Sequence, residues 1–189
     1  MEFFKKNRLA ILFSILVLVT AGAIEYFVGR SPLGPDGMFG WWDGNINGNE
    51  NSQRVADAYS FSHIIHGLGF YWFLWLVARR VPMKYRFVFA LLMEAVWELF
   101  ENSSFIINRY REGTIAQDYV GDSILNSLSD IGMVAIGFLL ARWSKVWVSI
   151  LLVIAMEVGC LFWIRDNLTL NIIMLAYPVE TIKEWQSNL

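Results

Sequence analysis

The chain has 189 residues, 56% of them hydrophobic and only 17% charged, against roughly 25% charged in ordinary soluble domains. This composition excludes a typical soluble fold and points to a membrane protein forming one integral membrane domain over residues 1–189. A net charge of −2 without a basic stripe excludes nucleic-acid binding, and a lone cysteine, Cys160, excludes an internal disulfide framework or a thiolate metal cluster.

In chain order, Lys5, Lys6 and Arg8 lead into an apolar run over residues 9–28 that has no small-x-small cleavage site, so it reads as a retained first span. A hydrocarbon core about 30 Å thick takes about 20 apolar helical residues. Further runs at 59–78, 85–106, 119–141 and 146–164 approach that length and predict an all-α, polytopic protein of about five transmembrane helices. Residues 29–58, rich in Gly, Asn and Asp, predict turns outside the bilayer. The aromatic run Phe70 to Trp75 reads as lipid-facing surface. Leu168 to Tyr177 is too short to span and precedes Pro178, so the tail at 167–189 reads as an interfacial or re-entrant segment.

The basic residues orient these spans. Lys5, Lys6, Arg8, Arg79, Arg80, Lys84, Arg86, Arg142 and Lys145 all fall on one side, which the positive-inside rule makes cytoplasmic. The N-terminus is then in, the C-terminus out and the 29–58 loop outward.

Ionisable residues inside the spans carry the functional signal, since each costs about 2.5–3.5 kcal/mol at a helix centre on insertion scales. The second span holds His63 and His66 near its outer end. The third holds Glu94, Glu98, Glu101 and Asn102 on one helical face, and the fourth holds Asp118, Asp122, Asn126 and Asp130 as a slowly rotating stripe. These depths place one outward-opening cavity between the three helices. Three chemistries fit it. Imidazoles and carboxylates on facing helices can hold a divalent metal, zinc favouring the histidines and manganese or magnesium the carboxylates. Close carboxylates can share a proton for acid–base chemistry. The acids can also be structural, paired with arginines. Arg109 and Arg111 beside the cavity can hold phosphate head groups or pair the acids. Glu25 lies near the outer end of the first span, where it can reach water, and Glu157 stands alone in the fifth.

The runs Asn51-Ser52-Gln53, Ser60 to Gly67, Glu94-Ala95-Val96-Trp97-Glu98 with Glu101-Asn102, Ile106 to Arg111, Asp118 to Ser123 and Arg165 to Asn171 resemble an uncharacterised bacterial inner-membrane family, a domain of unknown function. The resemblance implies a multi-pass protein of the bacterial cell inner membrane and brings no activity. Asp122-x3-Asn126 opening an apolar helix is similar to a VanZ-like motif, with Ser129 where a glycine is expected. Asn108-Arg109 with Gly113, Asn126 and Asp130 looks somewhat like lipoprotein signal peptidase, with Asn108 where that family has its first catalytic aspartate.

The expected function is hydrolysis or group transfer on a lipid, lipid-linked or lipoprotein substrate. Its catalytic set is Glu98, Asp118, Asp122 and Asp130; Arg109, Arg111 and Asn126 bind substrate, and His63, His66, Glu98, Glu101 and Asp122 ligate a divalent metal (Zn, Mn or Mg). The alternative is a non-enzymatic accessory or assembly protein, or a small proton-coupled carrier.

Overall fold

A computed structural model describes residues 2–46 and 48–188; Met1, Asn47, Leu189 and the side chains of Phe3, Phe4 and Lys5 lie outside the described residues. Among the described residues the chain is all-α. Its helices are α1 (Glu2–Phe27), α2 (Ser60–Val77), α3 (Met83–Glu101), α4 (Ser104–Gly113), α5 (Ile124–Trp143), α6 (Val146–Ile164), α7 (Leu168–Ala176) and α8 (Glu180–Ser187). The extended pairing among them is a single bridge, Trp42 to Ala56.

Helices occupy all five positions expected to span, and three are long and apolar enough to cross a membrane: Lys6–Phe27, Ile124–Trp143 and Val146–Ile164. The other two are diluted by the groups that make the site. α2 carries His63 and His66, and α3 carries Lys84, Arg86, Glu94, Glu98 and Glu101.

Two boundaries that bear on the site differ from the sequence expectation, and serine caps explain both. The third run ends at Glu101 rather than Ile106, because Ser103 turns extended and its hydroxyl accepts from Ile106 N to start α4. The fourth begins at Ile124, where Ser123 accepts from Asn126 N after a positive-φ Gly121. Asp118 and Asp122 therefore precede the helix and do not form a stripe with Asn126 and Asp130. The tail folds into α7 and α8, with Asn167 capping α7 through Leu170 N at 2.8 Å.

α2 and α5 make the closest crossing. A Cβ on Gly67 would stand 2.2 Å from Val134 O, and one on Gly137 would stand 2.1 Å from Ile64 O, so two glycines let the backbones touch. Leu68, Tyr71, Leu74, Val134, Phe138 and Ala141 close the core around that crossing. Tyr71 and Leu74 are thus core residues, which corrects the lipid-facing reading of their run; Phe73 and Trp75 do face outward. α1 packs on α3 and α5 through Ala21, Leu91, Ala95 and Ile131.

Burial is inverted relative to a water-soluble protein. Leu12, Phe13, Leu16 and Val19 of α1 and Ile150, Leu151, Ile154 and Phe162 of α6 are exposed, whereas Glu25, Glu94, Glu98, Asn126, Ser127 and Asp130 are buried. An apolar surface this extensive is stable against lipid and unstable against water, so the chain is membrane-associated.

Candidate metal centre

The α2–α5 contact carries His63 and His66 past Asp130, and α3 closes the third side with Glu94 and Glu98. His63 Nδ1 donates to Glu94 Oε1 at 2.5 Å, and His66 Nδ1 lies 3.1 Å from both oxygens of the same carboxylate. A carboxylate only accepts, so Glu94 holds both imidazoles with Nδ1 protonated and turns Nε2 away from itself. His63 Nε2 stands 3.7 Å from Asp130 Oδ2, whose other oxygen accepts from Ser60 Oγ at 3.3 Å.

Glu98 is anomalous, as Glu25 on α1 is in the same way. Its side chain is 0% exposed, and neither oxygen has a hydrogen-bond partner among the described residues. The nearest cationic candidate is His63 Nδ1, 3.4 Å from Glu98 Oε1, but that proton is directed at Glu94. His63, Glu98 and Asp130 form one group, and His63, His66 and Glu94 another, in which ligand atoms all lie within 4.8 Å of one another. An imidazole and two carboxylates of this kind suit a zinc or manganese ion. Glu94, hydrogen-bonded to both imidazoles, orients them as an outer carboxylate would if they held a metal.

Above this group lies a cavity lined by His63, His66, Glu101, Asp122, Asn126 and Asp130, together with Asp57, Tyr59, Tyr110, Tyr119, Asp166, Asn171 and Gln186. Water can occupy about 70 Å³ of it, room for a few water molecules or a small head group but not a whole lipid. Among the described residues no lysine or arginine lines it. Tyr110 Oη stands 2.7 Å from Glu101 Oε1 and 3.0 Å from Asn171 Oδ1, and Tyr119 Oη donates to Asp122 Oδ1 at 2.7 Å. Burial raises the Asp57 carboxyl, opposed by backbone hydrogen bonds from Tyr59, Ser60 and Ser52. Burial likewise pushes Asp166 up to about 6.

Three of the remaining expected site residues, Asp118, Arg109 and Arg111, sit elsewhere. Asp118 is exposed and outside the cavity. Arg109 Nε donates to Leu175 O at 2.7 Å and its Nη2 to Ala176 O at 3.2 Å, so it clamps the end of α7. Arg111 Nε donates to Tyr119 O at 2.6 Å. Both arginines hold the roof and the loop instead of facing the cavity. Asn126 lines the cavity but spends its amide on Arg54 O at 2.9 Å. Asn108 faces a separate groove with Phe105, Arg109 and Glu112, so it does not meet Asp130 as the signal-peptidase-like reading requires. Glu25 is fully buried rather than water-reaching. Glu157 is not alone: it accepts from Leu168 N at 3.0 Å and Thr169 N at 3.2 Å at the start of α7.

Several lining residues escaped the sequence reading. Asp57 carried a signal, since its Oδ1 accepts from Tyr59 N and Ser60 N in the manner of a residue opening a helix. Asp166 and Asn171 stand in the run Arg165 to Asn171 that carries the family resemblance, but nothing local marks them or Gln186 as cavity residues, because they reach it only through the folding back of α7 and α8.

Fold and site together define a helical, membrane-associated protein with a buried histidine–carboxylate group under a polar cavity. The chain belongs to the family described as "Protein of unknown function (DUF2585)", whose model matches residues 25–188. It is similar to a UPF0314 protein of Agrobacterium fabrum, 49% identical over 166 residues covering 88% of this chain and 84% of that one. A UPF0314 protein of Paracoccus denitrificans is 46% identical, covering 93% and 91%, and one of Sphingopyxis alaskensis is 46% identical, covering 96% of each chain. No solved structure matches.

Proposed function

We propose that this is a five-span protein of the bacterial inner membrane, N-terminus in and C-terminus out, with His63, Glu98 and Asp130 holding a divalent metal beneath an outward cavity. The observation that carries the metal is Glu98. A buried carboxylate without partners costs several kcal/mol, and a cation between it, His63 and Asp130 removes that cost. Glu94 then fixes the histidine tautomers, and Ser60 fixes Asp130.

The function this supports is hydrolysis or group transfer on a lipid or lipid-linked substrate whose head group enters the cavity. A metal there would supply Lewis acidity and an acidified water. Asp122 and Glu101, each on a tyrosine hydroxyl, are placed to hold or move a proton at the head group. Because no Lys or Arg among the described residues lines the cavity, the protein itself favours a neutral or cationic head group.

Two experiments test this reading. Reporter fusions after residues 56, 80, 115, 144 and 188 should alternate as five spans require; a three-span pattern refutes the topology. Purified protein incubated with inner-membrane lipid extract should convert a lipid species in a chelator-sensitive way, and an unchanged lipid profile refutes the catalytic reading.

A further inference from the structure

The loop joining α1 to α2 is organised around Arg54, which reaches the exposed Asp36 at 2.5 Å, Glu50 at 3.1 Å and the Met38 carbonyl at 2.5 Å. A Cβ on Gly40 would stand 2.7 Å from Arg54 Cδ, so the backbone lies directly on this hub. Asn126 and Ser129 of α5 fasten the carbonyls of Arg54 and Val55, and the Trp42–Ala56 bridge ties the two sides of the loop together.

The apolar side chains turn outward. Met38 is 62% exposed, Phe39 52%, Trp41 74% and Trp42 51%. In water this order is unfavourable, because rigid backbone holds four large apolar groups where solvent would meet them. Their position says what covers them. Trp42 stacks on Trp163, with ring centroids 5.8 Å apart and planes 9° from parallel, and Trp163 lies in the last turn of α6, one of the helices apolar enough to cross a membrane. The aromatic edge of the loop thus continues the apolar surface of α6, where Phe162 is also exposed. Aromatic side chains at the ends of spanning helices belong to the lipid head-group layer.

The structure assigns Met38, Phe39, Trp41 and Trp42 to a wedge that inserts into the interfacial layer of the leaflet on the loop's own side. This assignment is independent of the metal. Asn51, Ser52 and Asp57 of the same loop line the cavity, so the wedge holds the cavity mouth at the lipid surface. The loop carries four acids, Asp36, Asp43, Glu50 and Asp57, against Arg30 and Arg54. Insertion therefore rests on apolar burial and does not depend on anionic lipid.

The test is depth-dependent quenching of a polarity-sensitive label at Trp41→Cys and, separately, at Phe39→Cys, in full-length protein reconstituted into phosphatidylcholine nanodiscs. Asn49→Cys, exposed on the same loop, gives the water reference, and Cys160 is buried. Labels at 41 and 39 should be quenched by shallow spin-labelled lipid and be protected from iodide by about two-fold or more relative to 49. Replacing a third of the lipid with phosphatidylglycerol should leave both unchanged. Iodide quenching equal to that at 49 at both positions overturns the assignment. Protection from iodide and lipid alike also overturns it, since another protein or a second copy then covers the wedge. Two label positions guard against a local failure to fold at either one.

Discussion

Glu94 accepts the Nδ1 proton of His63 at 2.5 Å while also holding His66, and its own side chain is completely buried. One carboxylate therefore sets the tautomer of both histidines. Glu94→Gln keeps the shape but presents an amide that orients neither ring reliably. Divalent-metal affinity should fall about 10–100-fold, the usual effect of losing an outer-shell carboxylate, with helix content unchanged. Metal titration of the purified variant checks this; unaltered affinity removes Glu94 from that role.

Glu98 predicts an opposed pair of effects. Glu98→Met replaces an unpartnered buried carboxylate by an apolar group of similar length, so the metal-free protein should gain about 1–3 kcal/mol of stability. The same variant should lose metal retention. Unfolding in mild detergent with chelator present measures the first and metal analysis the second. A loss of stability in the metal-free state would mean that Glu98 has a structural partner.

The α2–α5 crossing is tested by two glycines on one helix. Gly137→Ala drives a methyl group to within 2.1 Å of Ile64 O and should cost about 1–3 kcal/mol or more. Gly132→Ala, where nothing lies within 4 Å, should be close to neutral. Equal melting temperatures for the two variants would refute the backbone contact that brings the histidines to Asp130.

Asp166, just beyond α6, gives a pH dependence. Burial raises its carboxyl from 3.8 to about 6, so the folded state holds a proton that the unfolded chain releases. The stabilisation is complete below about pH 4 and lost as pH rises through about 6, and the full difference is about 3 kcal/mol. Asp166→Asn should flatten stability across that window, measured by thermal unfolding between pH 4 and 7.

Much of the centre was legible because charges inside apolar runs are conspicuous. His63, His66, Glu94, Glu98 and Asp130 all stand on helices where the sequence places them. What hydropathy windows obscured was where helices stop: Ser103 and Ser123 are cap residues, but apolar neighbours carry the averages across them. Reading Asp118 and Asp122 as helical followed from that smoothing. Arg109 was misjudged for a different reason, since its acceptors on Leu175 and Ala176 are 66 and 67 residues away and no local pattern records them. The aromatic run misled because Tyr71 and Phe73 share a composition but lie on different faces of one helix.

The most direct test of the central claim is the metal content of protein purified in mild detergent, after loading with zinc or manganese and removal of free ion. The site described here predicts about one tightly held divalent ion per chain, absent from His63→Ala and Glu98→Met. Wild-type protein that retains no more metal than those variants would contradict it.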